Sequence, residues 1–295
     1  MRTDKLNLVI KRLLGENAKK CLVTLLFPLR NSFILFNVSN RAKSDEVNLN
    51  YWDESKNLGD TLTPVIVNYV LSLKNMDLHK KVDNRKHLYA VGSVLTAGIQ
   101  DTTVWGSGVL NSKLSYRLRR RKLDVRAVRG PLTRAVLEDY GYEVPEIYGD
   151  PAILMPDIFN PQVNEKKFDY GVILHKDFVL SELDKEFLNK NNVTIIDIKT
   201  ADYELFVREL KECKQVISSS LHGIILSEVY GVPAVLLKPQ VDFFKYYDYY
   251  FGTGRLNFPT ADTLIEATMC VPAKIPRFEN MRNQLIKVFP YDLFE

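Results

Sequence analysis

The stretch that most constrains this chain is a short apolar run closed by three serines. Cys213-Lys214-Gln215-Val216-Ile217 leads into Ser218-Ser219-Ser220-Leu221-His222-Gly223. Ile224-Ile225-Leu226-Ser227-Glu228-Val229-Tyr230 follows, closed by Gly231 and then Val232-Pro233. The pattern reads strand, polar loop, short helix, stop. Pro233-Ala234-Val235-Leu236-Leu237 reads as the next strand. Such a unit belongs to an open parallel α/β sheet, where ligands collect outside the carboxyl ends of the strands. Three hydroxyls, an imidazole and the free N–H groups of a helix start converge in that loop, a combination suited to an anion and above all to phosphate. The plain alternative is that the serines only cap a helix and His222 is an ordinary loop residue.

The same grammar recurs upstream. Residues 47–52 alternate as a strand, Asn57-Leu58-Gly59-Asp60 forms a loop, and residues 61–73 carry a helical pattern with Pro64 in the first turn. Asp60 or Thr61 serves as the cap, or Asp60 faces a cleft from the first strand–helix loop. A strand over 86–91 ends in Gly92-Ser93, and one over 103–105 ends in Gly106-Ser107-Gly108. Glycine directly after a strand lets a ligand or another backbone come close. A strand over 124–128 precedes Arg129-Gly130-Pro131, where a helix begins that Gly141 ends. A guanidinium at such a place can grip a carboxylate or phosphate with two hydrogen bonds. Asp150 reads as a turn residue that bonds backbone N–H groups ahead of Pro151.

The polar stretch 156–167, with Pro161 inside it, marks a boundary. It divides the chain into an amino-terminal domain, 1–160, and a carboxyl-terminal domain, 161–295. The second half repeats the pattern: a strand over 170–174 that ends at His175, a strand over 193–197, a helix over 202–213, and the serine loop. The expected fold class is α/β, two Rossmann-like domains facing a cleft. The aromatic segment 243–250 suits stacking on sugar faces or burial as a lid, and a last helix over 277–288 is expected to pack back on the first domain.

Composition narrows the functional classes. A net charge of +4 gives no footprint for nucleic acid. Cys21, Cys213 and Cys270 have no metal-like spacing, nor do the four histidines, so a reduced cytoplasmic protein without a metal is expected. Neither a full dinucleotide fingerprint nor a GxxxxGK[ST] loop is present. The run 21–38 is too interrupted to span a membrane. The first 43 residues carry nine Lys or Arg against Asp4 and Glu16, which suits an amphipathic helix packed on its own domain or, alternatively, one lying on an anionic membrane surface. The basic run 117–122 reads as solvated, or as a contact for an anionic membrane or a polyphosphate.

Taken in order, these pieces resemble the polysaccharide pyruvyl transferase family. The matching residues are Tyr51-Trp52 with Asn57-Leu58-Gly59-Asp60, Gly92-Ser93, Trp105-Gly106-Ser107-Gly108, and Val128-Arg129-Gly130-Pro131-Leu132-Thr133. They continue with Gly149-Asp150-Pro151-Ala152, Leu174-His175 and the stretch 218–231. The resemblance implies a fold like that of GT-B glycosyltransferases. It implies transfer of pyruvate from phosphoenolpyruvate, a co-substrate rather than a cofactor, onto two hydroxyls of a saccharide as a cyclic ketal. The acceptors of such enzymes are capsule, exopolysaccharide and cell-wall sugars or their lipid-linked precursors. Carried onto this chain, the donor contacts are Arg129, Ser219, Ser220, Leu221, Gly223 and Lys238. His222 moves the proton, and Asp60 orients or deprotonates the acceptor. The cleft is lined by Asn57, Gly92, Ser93, Gly106, Ser107 and His175. One departure stands out: many members carry Arg two residues before the histidine, where this chain has Ser220, so a second cation has to come from Lys238 or Arg255. The alternatives are a GT-B glycosyltransferase using a nucleotide sugar and a non-catalytic saccharide-binding relative.

Overall fold

The computed structural model describes residues 45–51, 57–83, 86–96, 100–119, 121–175, 178–239 and 242–295. The basic amino-terminal segment, Trp52, and Arg120 of the run 117–122 lie outside the described residues.

Two parallel sheets organise the chain. The first holds β1 (Val47–Leu49), β2 (Lys86–Tyr89), β3 (Thr102–Trp105) and β4 (Leu123–Ala127) in the order β1-β2-β3-β4. The second holds β5 (Phe168–Ile173), β6 (Val193–Ile195), β7 (Cys213–Ser218), β8 (Ala234–Leu237) and β9 (Thr260–Ala261) in the order β6-β5-β7-β8-β9. All named pairings are parallel. Strands buried on both faces must be apolar throughout. Accordingly β3 and β8 are buried at every residue, and β5, β7 and β8 fill with Val172, Ile173, Val216, Ile217, Val235 and Leu237.

Helices cover the sheets. They are α1 (Leu58–Ser72), α2 (Pro131–Asp139), α3 (Met155–Ile158), α4 (Glu182–Lys190), α5 (Tyr203–Lys211), α6 (Leu221–Val229), α7 (Phe244–Gly252), α8 (Leu264–Met269) and α9 (Glu279–Lys287). Helix α6 is buried along its whole length, so its apolar run Ile224-Ile225-Leu226 faces protein on every side. The second sheet changes direction between β5 and β7: the chain leaves β5 for β6 on one side and returns to β7 on the other. A crevice opens at the carboxyl ends of two strands related in this way.

Local expectations shift in two places. Helix α1 begins at Leu58, with Asn57 in the N-cap position, so Asp60 lies inside the helix rather than capping it, and Pro64 is interior. Pro64 has no N–H for the Asp60 carbonyl, so the helix tolerates a missing bond there. The aromatic segment is a helix whose Tyr246, Tyr249 and Tyr250 are buried in the core, with only Tyr247 well exposed. Burial, not a sugar-stacking platform, accounts for most of it.

After the second sheet the chain returns to the first. Trp105 donates its indole N–H to the Leu285 carbonyl at 2.9 Å, and Phe289 meets the Trp105 ring edge-on at 4.8 Å. Lys86 Nζ donates to the Leu293 carbonyl at 3.0 Å, and Arg126 pairs with Asp292 at 2.9 Å. No helix among the described residues is long and apolar enough to cross a membrane.

Candidate active site

The first turn of α1 and the loops that follow β2 and β7 converge. His222 sits in the first turn of α6, 8% exposed, with its Nε2 3.6 Å from Asp150 Oδ2. Its ring presses against the first turn of α1: a Cβ on Gly59 would lie 1.8 Å from His222 Nδ1. Gly92, after β2, packs against both candidate groups, since a Cβ there would stand 3.3 Å from Asp60 Oδ1 and 3.5 Å from His222 Cε1. Its φ of +88 is one that glycine adopts without strain. Two glycines therefore make the room in which an imidazole from the second sheet reaches a carboxylate from the first.

Asp60 is half-buried, and Asn57 Nδ2 donates to its Oδ2 at 2.8 Å. Loss of water raises its pKa above the ordinary carboxylate value; His222, Lys245 and the Asn57 hydrogen bond pull the other way, and Asp150 adds to the rise. A carboxylate with a raised pKa is a stronger base once ionised, which suits proton removal from a hydroxyl. The raised value also fixes a sign. Between its unfolded and folded pKa, Asp60 holds more protons in the folded state, so its ionisation destabilises the fold as pH rises through that window. Asp60→Asn is therefore expected to melt higher than wild type at pH 7.5, with the gap closing towards about pH 4, where the unfolded carboxylate also protonates. An equal gap at both pH values in paired thermal melts contradicts this reading.

The serine loop divides its labour. Ser218 Oγ donates to the Ile173 carbonyl at 2.8 Å and accepts from Ser220 N at 3.0 Å. Ser219 Oγ accepts from His175 N at 2.8 Å, which ties the loop after β5 to the loop after β7. Ser218 and Ser219 are thus loop builders. Ser220 is the N-cap of α6, yet its side chain makes no capping bond, so the helix-start amides around Leu221, His222 and Gly223 keep their affinity for an anion. Gly223 is required for packing, because a Cβ there would meet Ser218 Oγ at 2.2 Å.

The other expected residues lie elsewhere in the network. Arg129 is fully buried and does not present its fork to a ligand. Its Nε donates to Asp248 Oδ2 at 3.0 Å, its Nη2 to the Val109 carbonyl at 2.8 Å, and its Nη1 to Ser93 Oγ. The carboxylate expected from a ligand is thus supplied by α7 from within the chain. Ser107 Oγ donates to the Gly92 carbonyl at 2.9 Å and so shapes the Gly92 turn, while Gly106 packs on Pro151 and the Gly149 carbonyl. Lys238 is 40% exposed and pairs with Asp262 at 2.6 Å. Arg255 pairs with buried Glu228 through two bonds, of 2.6 and 2.8 Å, and Tyr249 also donates to Glu228 at 2.6 Å. Neither proposed second cation is joined to His222 by a contact. Lys245, in the first turn of α7, is a cation whose charge acts on Asp60. Its only signal in the sequence is a lysine inside an aromatic run. Asp150 was also concealed: its turn role holds, since it accepts from Ala152 N at 3.1 Å and Gly92 N at 3.2 Å, but its free edge faces His222. Among the described residues, no group of three or more His, Cys, Asp or Glu is arranged to hold a metal ion.

Known proteins bear on this geometry. The succinoglycan biosynthesis protein ExoV of Rhizobium meliloti (strain 1021) is 25% identical over 207 residues, covering 68% of this chain and 62% of its own length. An uncharacterized protein, L143, of Acanthamoeba polyphaga mimivirus is 28% identical over 238 residues, covering 75% of this chain and 80% of its own. The profile of the polysaccharide pyruvyl transferase family matches residues 12–240, a span that includes Asp60, Asp150 and His222. The chain belongs to the polysaccharide pyruvyl transferase family.

Proposed function

We propose that this protein transfers the pyruvyl group of phosphoenolpyruvate to two hydroxyls of a saccharide, forming a cyclic ketal and releasing phosphate. The observation that carries the reading is the meeting of His222 and Asp60 over Gly59 and Gly92, at the N-terminus of α6. The reaction needs three things there. An anion site holds the donor: the α6 amides suit its phosphate, and Lys245 adds a cation in place of the arginine absent at Ser220. An acid protonates the methylene carbon, which leaves an oxocarbenium-like centre at the adjoining carbon; His222 is the proton-carrying side chain buried at that place. A base takes the proton of the attacking hydroxyl, which fits Asp60. The first hydroxyl bonds to the pyruvyl carbon and gives its proton to Asp60; the bond from that carbon to the phosphate oxygen breaks; the second hydroxyl then closes the ketal, and its proton leaves with the phosphate.

In this reading the two sheets are the cores of two Rossmann-like domains of GT-B type, divided near residue 160, with the site between them. The acceptor is a bacterial surface polysaccharide or its lipid-linked precursor, met in the cytoplasm or at the inner face of the membrane. No metal or cofactor takes part. A nucleotide-sugar donor is less well supported: Glu228, the acidic residue that would otherwise suit a ribose, is bound up with Arg255 and Tyr249.

The test is ligand-dependent melting followed by product analysis. Phosphoenolpyruvate at about 100 times its Kd is expected to add about 2.7 kcal/mol of stability with no nucleotide present. With an acceptor glycoside, phosphate release and a mass gain on the sugar are expected together. Stabilisation by a sugar nucleotide and not by phosphoenolpyruvate overturns the proposal in favour of glycosyl transfer.

A further inference from the structure

The geometry points to Asp150 as the positioning residue that fixes the tautomer of His222, holding Nε2–H and leaving Nδ1 as the atom that exchanges protons. The role of His222 as proton carrier rests on the reading above; the tautomer does not. His222 Nε2 is buried and has no hydrogen-bond partner. The group nearest to it in charge is Asp150 Oδ2, at 3.6 Å, on a side chain with no exposure to solvent. Asp150 cannot drift, because its two oxygens are pinned separately: Oδ1 by Ala152 N at 3.1 Å and Oδ2 by Gly92 N at 3.2 Å. A carboxylate accepts and an N–H donates, so the only neutral imidazole that suits this neighbour carries its proton on Nε2. The distance is slightly beyond a hydrogen bond, as is common for catalytic contacts before the substrate closes the site.

The opposite nitrogen is then assigned by elimination. Nδ1 lies on the side of Gly59, in the first turn of α1, one residue from Asp60. The charged groups around the imidazole are Asp150 at Nε2, Asp60 beyond Gly59, and Lys245, whose charge reaches Asp60 from α7. The acid, from α6, and the base, from α1, thus stand together at the first turn of α1, which suits a product in which both hydroxyls of one sugar bond to one carbon.

The experiment reads the ring nitrogens directly. Protein labelled with ¹⁵N-histidine gives four histidine patterns, and His222→Gln identifies the one that belongs to His222. At a pH where that ring is neutral, wild type is expected to show a protonated Nε2 and a bare Nδ1. In Asp150→Asn the negative charge that holds the Nε2 proton is lost, and the pattern is expected to shift towards a mixture of the two tautomers. The same variant is expected to lose about 10²- to 10⁴-fold in turnover, with the KM for phosphoenolpyruvate within a few fold of wild type. A protonated Nδ1 in the wild-type protein overturns the assignment even if Asp150→Asn fails to fold. The expected tautomer in a protein that makes no ketal from any acceptor sinks the pyruvyl reading and leaves the Asp150 assignment standing.

Discussion

His222→Gln is expected to give a folded protein that still binds phosphoenolpyruvate and turns over about 10²- to 10⁴-fold more slowly, the usual worth of a positioned acid or base. Glutamine fills much of the imidazole's volume and keeps a polar end in the space left by Gly59 and Gly92. It cannot carry a proton near neutral pH. Folding is protected because His222 adds little to the core by itself: Leu221, Ile224 and Ile225 hold α6 in place, and Nε2 makes no hydrogen bond. The measurement is single-turnover phosphate release beside a melting curve. Turnover within a few fold of wild type, with the fold intact, reduces His222 to a binding residue and leaves the proton donor to be found elsewhere.

Asp248→Ala is expected to be the most destabilising single change, by about 3–5 kcal/mol, because it strands the Arg129 charge inside the protein. Both side chains are completely shielded from solvent, at 0% exposure each. Asp248 also accepts from Thr133 N at 2.9 Å and from Thr133 Oγ1 at 2.7 Å. It therefore caps α2 from another helix, a task the N-cap residue Gly130 has no side chain to perform. Nothing larger than glycine fits at 130, since a Cβ would stand 1.8 Å from the Asp248 carbonyl oxygen. In a denaturant titration the midpoint should fall accordingly, and the melting temperature should drop on the order of ten degrees. Replacing both partners, Arg129→Met with Asp248→Leu, should cost less than the sum of the single changes, because no charge is then left unpaired. A loss below about 1 kcal/mol for Asp248→Ala denies the pair its structural role and returns Arg129 to consideration as a ligand contact.

Much of the fold was legible because its signals are local. Runs such as 86–91, 170–174 and 213–217 end at a glycine, histidine or serine, and that punctuation marks the carboxyl ends of parallel strands. The loops carrying Asp60 and His222 could be placed at strand ends for the same reason. What escaped was the partner of each charged group. Arg129 read as a free fork because its carboxylate lies 119 positions away, on a helix whose pattern is aromatic. Asp150 read as a turn residue, which it is, but a third direction of contact has no signature in neighbouring residues. Lys238 and Arg255 were plausible cations by their place after β8; their partners Asp262 and Glu228 become visible only in three dimensions. The start of α1 was misjudged because Pro64 suggested a first turn, whereas the helix had already begun at Leu58.

The docking of α9 on Trp105 has a consequence for how the protein comes to be made. The indole of Trp105 and its acceptor on Leu285 are 180 residues apart in sequence. At synthesis rates of about 5–20 residues per second, that interval is on the order of ten to forty seconds. Throughout it the emerging first sheet holds Trp105 without the Leu285 and Phe289 contacts that later close over its ring, and β2 lacks the carbonyls that later receive Lys86. The first half to leave the ribosome is thus among the last to be finished, and a nascent chain stalled before residue 285 is a natural client for a chaperone that shields aromatic surface.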